Sequence, residues 1–88
     1  MTESVVLITV NGRVIRHSRK YVIIISPGDS RRLRKLADSG KVLIEVLGIP
    51  MNVHVGVLKG RLVLYLPTAL NPIWEKMHGR SIEVSFHA

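Results

Sequence analysis

Lys20-Tyr-Val-Ile-Ile-Ile-Ser-Pro27, followed after a short charged segment by Gly40-Lys-Val-Leu-Ile-Glu-Val46, decides how this chain is read. The same order returns in Arg61-Leu-Val-Leu-Tyr-Leu-Pro67 and, after a second short segment, in Gly79-Arg-Ser-Ile-Glu-Val84. Each stretch runs through a basic residue, an apolar strand, a proline, a short helix, a glycine, a basic residue and a strand closing on Ile-Glu-Val. Each is preceded by a hairpin partner, Arg13 to His17 in one case and Asn52 to Leu58 in the other. The unbroken Val-Ile-Ile-Ile run marks a strand buried on both faces. A single unit of this kind cannot cover both faces of its own sheet, whereas two related by a pseudo-twofold axis close on each other and remove the exposed edges. The expected fold is mainly β with two short helices: a small β-barrel of two pseudo-symmetric β-β-α-β units plus an extra N-terminal strand. The repeats span about 11–47 and 52–86, within one domain over 1–88.

Turn and cap chemistry fills in the rest. Ser4 to Val10 reads as the extra strand, ending at Asn11-Gly12, a strong two-residue hairpin signal. Pro27 stops the Lys20 to Ser26 strand, and Asp29 or Ser30 caps a helix over about Ser30 to Asp38 whose apolar side is Leu33, Leu36 and Ala37. Gly48-Ile49-Pro50 reads as a break, and Lys59-Gly60 as the turn between Asn52–Leu58 and Arg61–Leu66. A second helix starts at Asn71 as cap, with Pro72 in the first position, an apolar side of Ile73, Trp74 and Met77, and Gly79 just past its end.

Composition narrows the class. Eighty-eight residues, 47% hydrophobic and 22% charged, describe one globular core. The longest apolar run, Tyr21 to Ile25, is far short of the roughly 18 residues of a membrane span. No basic leader or small-residue cleavage pattern opens the chain, so no secretory signal is expected. With no cysteine, disulfides and thiolate metal sites are excluded, which fits a reducing, cytoplasmic setting. Glutamine is absent and asparagine occurs three times beside eight arginines, a composition that points to a thermophilic source.

Charge is the functional signal. Between Asn11 and Lys35 lie Arg13, Arg16, Arg19, Lys20, Arg31, Arg32, Arg34 and Lys35 against the single acid Asp29, a surplus equal to the whole net charge of +7. Such a localised field is the footprint of a polyanion binder, nucleic acid above all. Arginine, which outnumbers lysine eight to five, spans two phosphate oxygens with a fixed fork. Arg13, Arg16 and Arg19 are three apart, so on one extended strand they would not share a face; the turn near Ser18 lets some converge. Only four aromatic residues are present, which disfavours base-stacking platforms for single strands and favours double-stranded DNA over RNA.

The stretch from Arg13 to Pro27, the basic helix after it and Gly40 to Val46 together resemble the AbrB/SpoVT family of DNA-binding domains. In that family two copies of a strand–turn–strand–helix–strand unit interlock as a swapped-hairpin barrel. The internal duplication is also similar to the related double-psi and other cradle-loop barrels. Ser26-Pro27 stands where the family usually has Ile-Pro, and Ser39-Gly40-Lys41 replaces its Gly-Asp. The resemblance implies that Arg13, Arg16, Arg19 and Lys20 meet DNA, flanked by the Arg31 to Lys35 helix, in a transcription regulator or architectural chromatin-type factor. The alternatives are an RNA- or ribosome-associated protein, or an adaptor for acidic protein surfaces.

Catalysis is not expected, nor is a cofactor or metal. His17, His54, His78 and His87 are scattered without metal-ligand spacing, and His54 reads as a structural residue on a strand. Glu45 and Glu83 occupy equivalent repeat positions, as an acid–base pair would, but each is expected to balance a neighbouring Lys or Arg on an outward face. Ser18, Ser26 and Ser30 lack a nearby base. The strand Val5 to Val10 is apolar enough to pair with a second chain as a homodimer edge.

Overall fold

The computed structural model describes residues 6–87. Six strands are present: β1 (Val6–His17), β2 (Lys20–Ile25), β3 (Lys41–Val46), β4 (Ile49–Leu58), β5 (Arg61–Tyr65) and β6 (Ser81–His87). Three short helices accompany them, α1 (Pro27–Arg32), α2 (Arg34–Ala37) and α3 (Asn71–Met77), the last preceded by a 3-10 turn over Thr68–Leu70. Every strand pairing is antiparallel, and each strand has two neighbours. The order β1-β2-β5-β4-β3-β6 therefore returns to β1 and the sheet closes. No helix among the described residues is long and apolar enough to cross a membrane.

β1 is one strand where the sequence pattern predicts two. Asn11-Gly12 is not a turn. Gly12 pairs with Ile82 of β6 on one side and Ile25 of β2 on the other, at the point where β1 passes from one neighbour to the next. A Cβ at Gly12 would lie 2.3 Å from Ile23 Cγ2, so glycine is required here for close approach of side chains. Of the expected extra strand and homodimer edge, Ser4 and Val5 lie outside the described residues, while Val6 and Ile8 to Val10 are paired with β6 of the same chain.

Two-residue turns connect β3 to β4 at Leu47-Gly48 and β4 to β5 at Lys59-Gly60. All four turn residues have positive φ (53°, 76°, 52° and 77°), the geometry whose twist matches paired strands. Of the predicted break at 48–50, Gly48 belongs to the turn and Ile49-Pro50 already open β4. Pro50 fits there because only β3 pairs with that half of the strand, leaving the other edge without a ladder bond to lose.

The first helix starts earlier than its acid suggested. Ser26 is the cap: its hydroxyl accepts from the Asp29 amide at 3.2 Å and donates to Asp29 Oδ2 at 3.1 Å, while Pro27 takes the first turn. The helix is broken at Leu33 (φ −99°, ψ 10°), whose buried side chain anchors the joint between α1 and α2. Asn71, expected as a cap, instead lies inside α3 with helical backbone, and its Oδ1 is buried without a hydrogen-bond partner among the described residues.

Alternate residues of every strand fill the interior. Val14, Ile23, Ile25, Ile44, Val46, Leu64 and Val84 are fully buried, and α3 adds Trp74, whose indole N–H donates to the Pro67 carbonyl at 3.1 Å. Val22 and Val63, on the outward side of β2 and β5, are buried as well because α3 lies against β2 and α1 against β5. Ser30 ties α1 to the sheet. Its buried hydroxyl donates to the Ile25 carbonyl at 3.3 Å and accepts from the Leu62 amide at 2.9 Å.

Candidate nucleic-acid interface

The direction of β2 decides where the cations go. Lys20 opens this strand and Ile25 ends it, about 17 Å further along. The β1–β2 turn lies at one end of the closed sheet, while α1 and α2 begin at the other. The basic stretch read from the sequence is thereby divided.

At the first end stand Arg16, Arg19 and Lys20, all exposed. Arg16 faces Tyr21 across the hairpin and its Nε donates to the Ser18 carbonyl at 3.3 Å; Ser18 turns the chain at φ 61°. The Gly79 amide donates to the Val14 carbonyl at 2.7 Å, which carries Arg80 alongside β1. His78 meets the Tyr21 ring edge-on with centroids 6.0 Å apart. Lys76 on α3 joins this group, with Glu75 the acid beside it.

The opposite end is richer. Arg31, Arg32, Arg34 and Lys35 are exposed on α1 and α2. Three cations from outside the basic stretch join them: Lys41 at the start of β3, Lys59 in the β4–β5 turn and Arg61 at the start of β5. Arg61 is held in place by its Nε, which donates to the Ile25 carbonyl at 3.0 Å. Two acids accompany these seven, Asp29 and Asp38. Asp29 lies 3.6 Å from Arg32, the only ion pair among the described residues, and it is too exposed to hold much of the charge.

The eight predicted residues therefore do not form one continuous patch. Arg16, Arg19 and Lys20 belong to one end; Arg31, Arg32, Arg34 and Lys35 belong to the other. Arg13 belongs to neither. It lies on the outer wall, paired with Ile24 and Ser81, because strand alternation sends positions 13 and 16 to opposite faces. Lys41, Lys59 and Arg61 were invisible as site residues, since nothing local connects them to the basic helix. Their one signal was the Lys59-Gly60 hairpin, which turns at the same end as the residues after Ile25.

The outer wall between the ends is acidic on one side. Glu45 pairs with Ser85, and Glu83 lies two residues from Ser85 on the same face, a diagonal spacing of about 7–8 Å between Cα atoms. Both carboxylates line a cleft of about 420 Å³ with Ser81, Ser85, Leu47 and Met77. Neither is ion-paired among the described residues, contrary to the expectation that each balances a base. His54 is exposed instead of interior; with Lys20 and Tyr65 it lines a second cleft of about 220 Å³. Among the described residues no three His, Cys, Asp or Glu side chains group as metal ligands. Trp74, Phe86 and Tyr21 are buried, leaving Tyr65 as the one aromatic ring open to a base.

No protein-family model, no curated protein and no solved structure matches this chain.

Proposed function

We propose that the protein binds nucleic acid without catalysis, preferring double-stranded DNA, as a regulator or architectural factor. The observation that carries this reading is the α1–α2 end, where seven basic side chains face two acids and one weak ion pair. Cations left uncompensated on a rigid surface are what phosphate binding needs, because their counterion release upon contact drives association. Burial of three of the four aromatic residues supports duplex over single strands, since little is left for bases to stack on.

The finer architecture belongs to the same reading: a barrel of two interlocked β-β-α-β halves, as the resemblance to AbrB-type and cradle-loop domains implies. Exchanging β1 with β4, β2 with β5 and β3 with β6 leaves the ring of pairings unchanged. Each half's helix lies against the other half's central strand, α1 on β5 and α3 on β2.

Fluorescence anisotropy with labelled duplex DNA, single-stranded DNA and structured RNA across a salt series tests the proposal. Duplex should bind most tightly, with a log–log salt slope of about −0.9 for each phosphate contacted. Tighter binding of RNA would transfer the reading to an RNA-associated protein, and absence of binding to all three would remove it.

A further inference from the structure

We infer that the molecule bridges two DNA duplexes, one seated at each end of the closed sheet. The inference rests on the nucleic-acid reading and goes beyond it by giving each cationic end its own partner. Three observations carry it. First, each end is assembled independently: a hairpin turn with Arg16, Arg19 and Lys20 at one, a broken helix with Arg31 to Lys35 at the other.

Second, no unbroken cationic track joins them. Between Lys41 and the opposite end, the β3–β6 wall presents Glu45 and Glu83, and Arg13 on the adjoining β1 is a diagonal neighbour of Glu83. On the β4–β5 side, Asn52, Tyr65 and His54 lie between Lys20 of one end and Lys41 of the other. A single duplex laid along the wall would meet the two carboxylates on one side, or Asn52, Tyr65 and His54 on the other, between its two anchoring points. Phosphates on separate duplexes meet surfaces where cations outnumber acids, seven to two at the α1–α2 end.

Third, the spacing suits two polyanions. The ends are about 17 Å apart along β2, roughly twice the Debye length of about 8 Å at physiological salt. Two duplexes held at this separation are largely screened from each other, so occupation of one end does not expel the second partner.

The test uses the full chain with two short duplexes of one sequence, one carrying a donor dye and the other an acceptor. Anisotropy reads binding to one duplex; energy transfer between duplexes reads bridging. Wild-type protein should bind and should raise transfer, with an optimum near one protein per two duplexes. An Arg16→Ala/Arg19→Ala/Lys20→Ala variant, and an Arg31→Ala/Arg32→Ala/Arg34→Ala/Lys35→Ala variant carrying also Lys41→Ala and Lys59→Ala, each remove most of the charge of one end. Each should still bind, with a shallower salt slope, about −2.7 where three contacts remain, and each should lose transfer. Glutamine versions of both sets replace any alanine variant whose far-ultraviolet spectrum departs from wild type.

Binding without transfer in the wild type overturns the inference and leaves the nucleic-acid reading intact. Absence of binding overturns both. If one variant abolishes binding while the other retains wild-type transfer, a single end binds and self-association joins the duplexes. Sedimentation of the free protein as a dimer would then confirm that outcome against the inference.

Discussion

Ile23 occupies the space that a side chain at Gly12 would need: a Cβ built there lies 2.3 Å from Ile23 Cγ2, inside the closed sheet. Ile23 is fully buried, and its branched Cβ leaves that methyl no alternative position without repacking the interior. Gly12→Ala should therefore destabilise the protein by about 1–3 kcal/mol, the cost of overpacking a filled core. For a domain of this size the melting temperature should fall by about 4–8 °C per kcal/mol. Emission of Trp74, the only tryptophan and wholly buried, follows the transition.

Gly28 is the opposite case. It sits in the first turn of α1, and no heavy atom lies within 4 Å of a Cβ built on it. Gly28→Ala should stabilise by about 0.4–1 kcal/mol, through reduced freedom of the unfolded chain. A lower melting temperature than wild type would contradict the helical placement of this residue.

Ser30→Ala removes one hydroxyl that serves two backbone groups. The Leu62 amide loses its acceptor in a buried position, and the Ile25 carbonyl loses one of its two side-chain donors. The expected loss is about 1–3 kcal/mol in chemical denaturation, the penalty for a buried donor left unmade. Loss of an exposed hydroxyl would cost almost nothing, so the measurement separates the two situations.

Leu47 holds a left-handed backbone (φ 53°) ahead of Gly48 while remaining 52% exposed. Leu47→Asn creates the Asn-Gly pair that such turns favour and gives up little burial. Relief of the left-handed strain should raise stability by up to about 1 kcal/mol, read as a higher denaturation midpoint.

Arg13→Ala should change duplex affinity by less than about twofold, because a charge off both contact ends acts only through screened, long-range attraction. A loss matching that of the Arg31 to Lys35 variant would place the binding face on the wall instead of at the ends. Anisotropy titrations at one salt concentration decide this.

Much of the fold could be read in advance. β2, β3, β5 and β6, the Lys59-Gly60 turn and the apolar side of α3 follow from short apolar runs bounded by proline and glycine. Asn11-Gly12 misled because the dipeptide serves equally for a turn and for a tight crossing, and only the presence of β6 beside β1 distinguishes them. The three-helix count escaped because Leu33 breaks its helix for tertiary reasons, to reach the interior. Charge pointed to the binding role proposed above, yet its distribution could not be read along the chain. Six residues of β2 separate what proximity in sequence had joined, and Lys41, Lys59 and Arg61 complete a surface from positions as many as 30 residues away from the basic helix.

Val6 and His87 face each other on adjacent antiparallel strands, while β3 and β4 are joined by only Leu47 and Gly48. A circular permutant that starts at Gly48, runs to His87, crosses a short linker to Val6 and finishes at Leu47 would keep every rung of the ring. The order in which translation delivers the strands would then be irrelevant to where they pair. Such a rewired molecule, melting as sharply as its parent, would show that the closed ring of pairings, and not the order of strands along the chain, carries the stability.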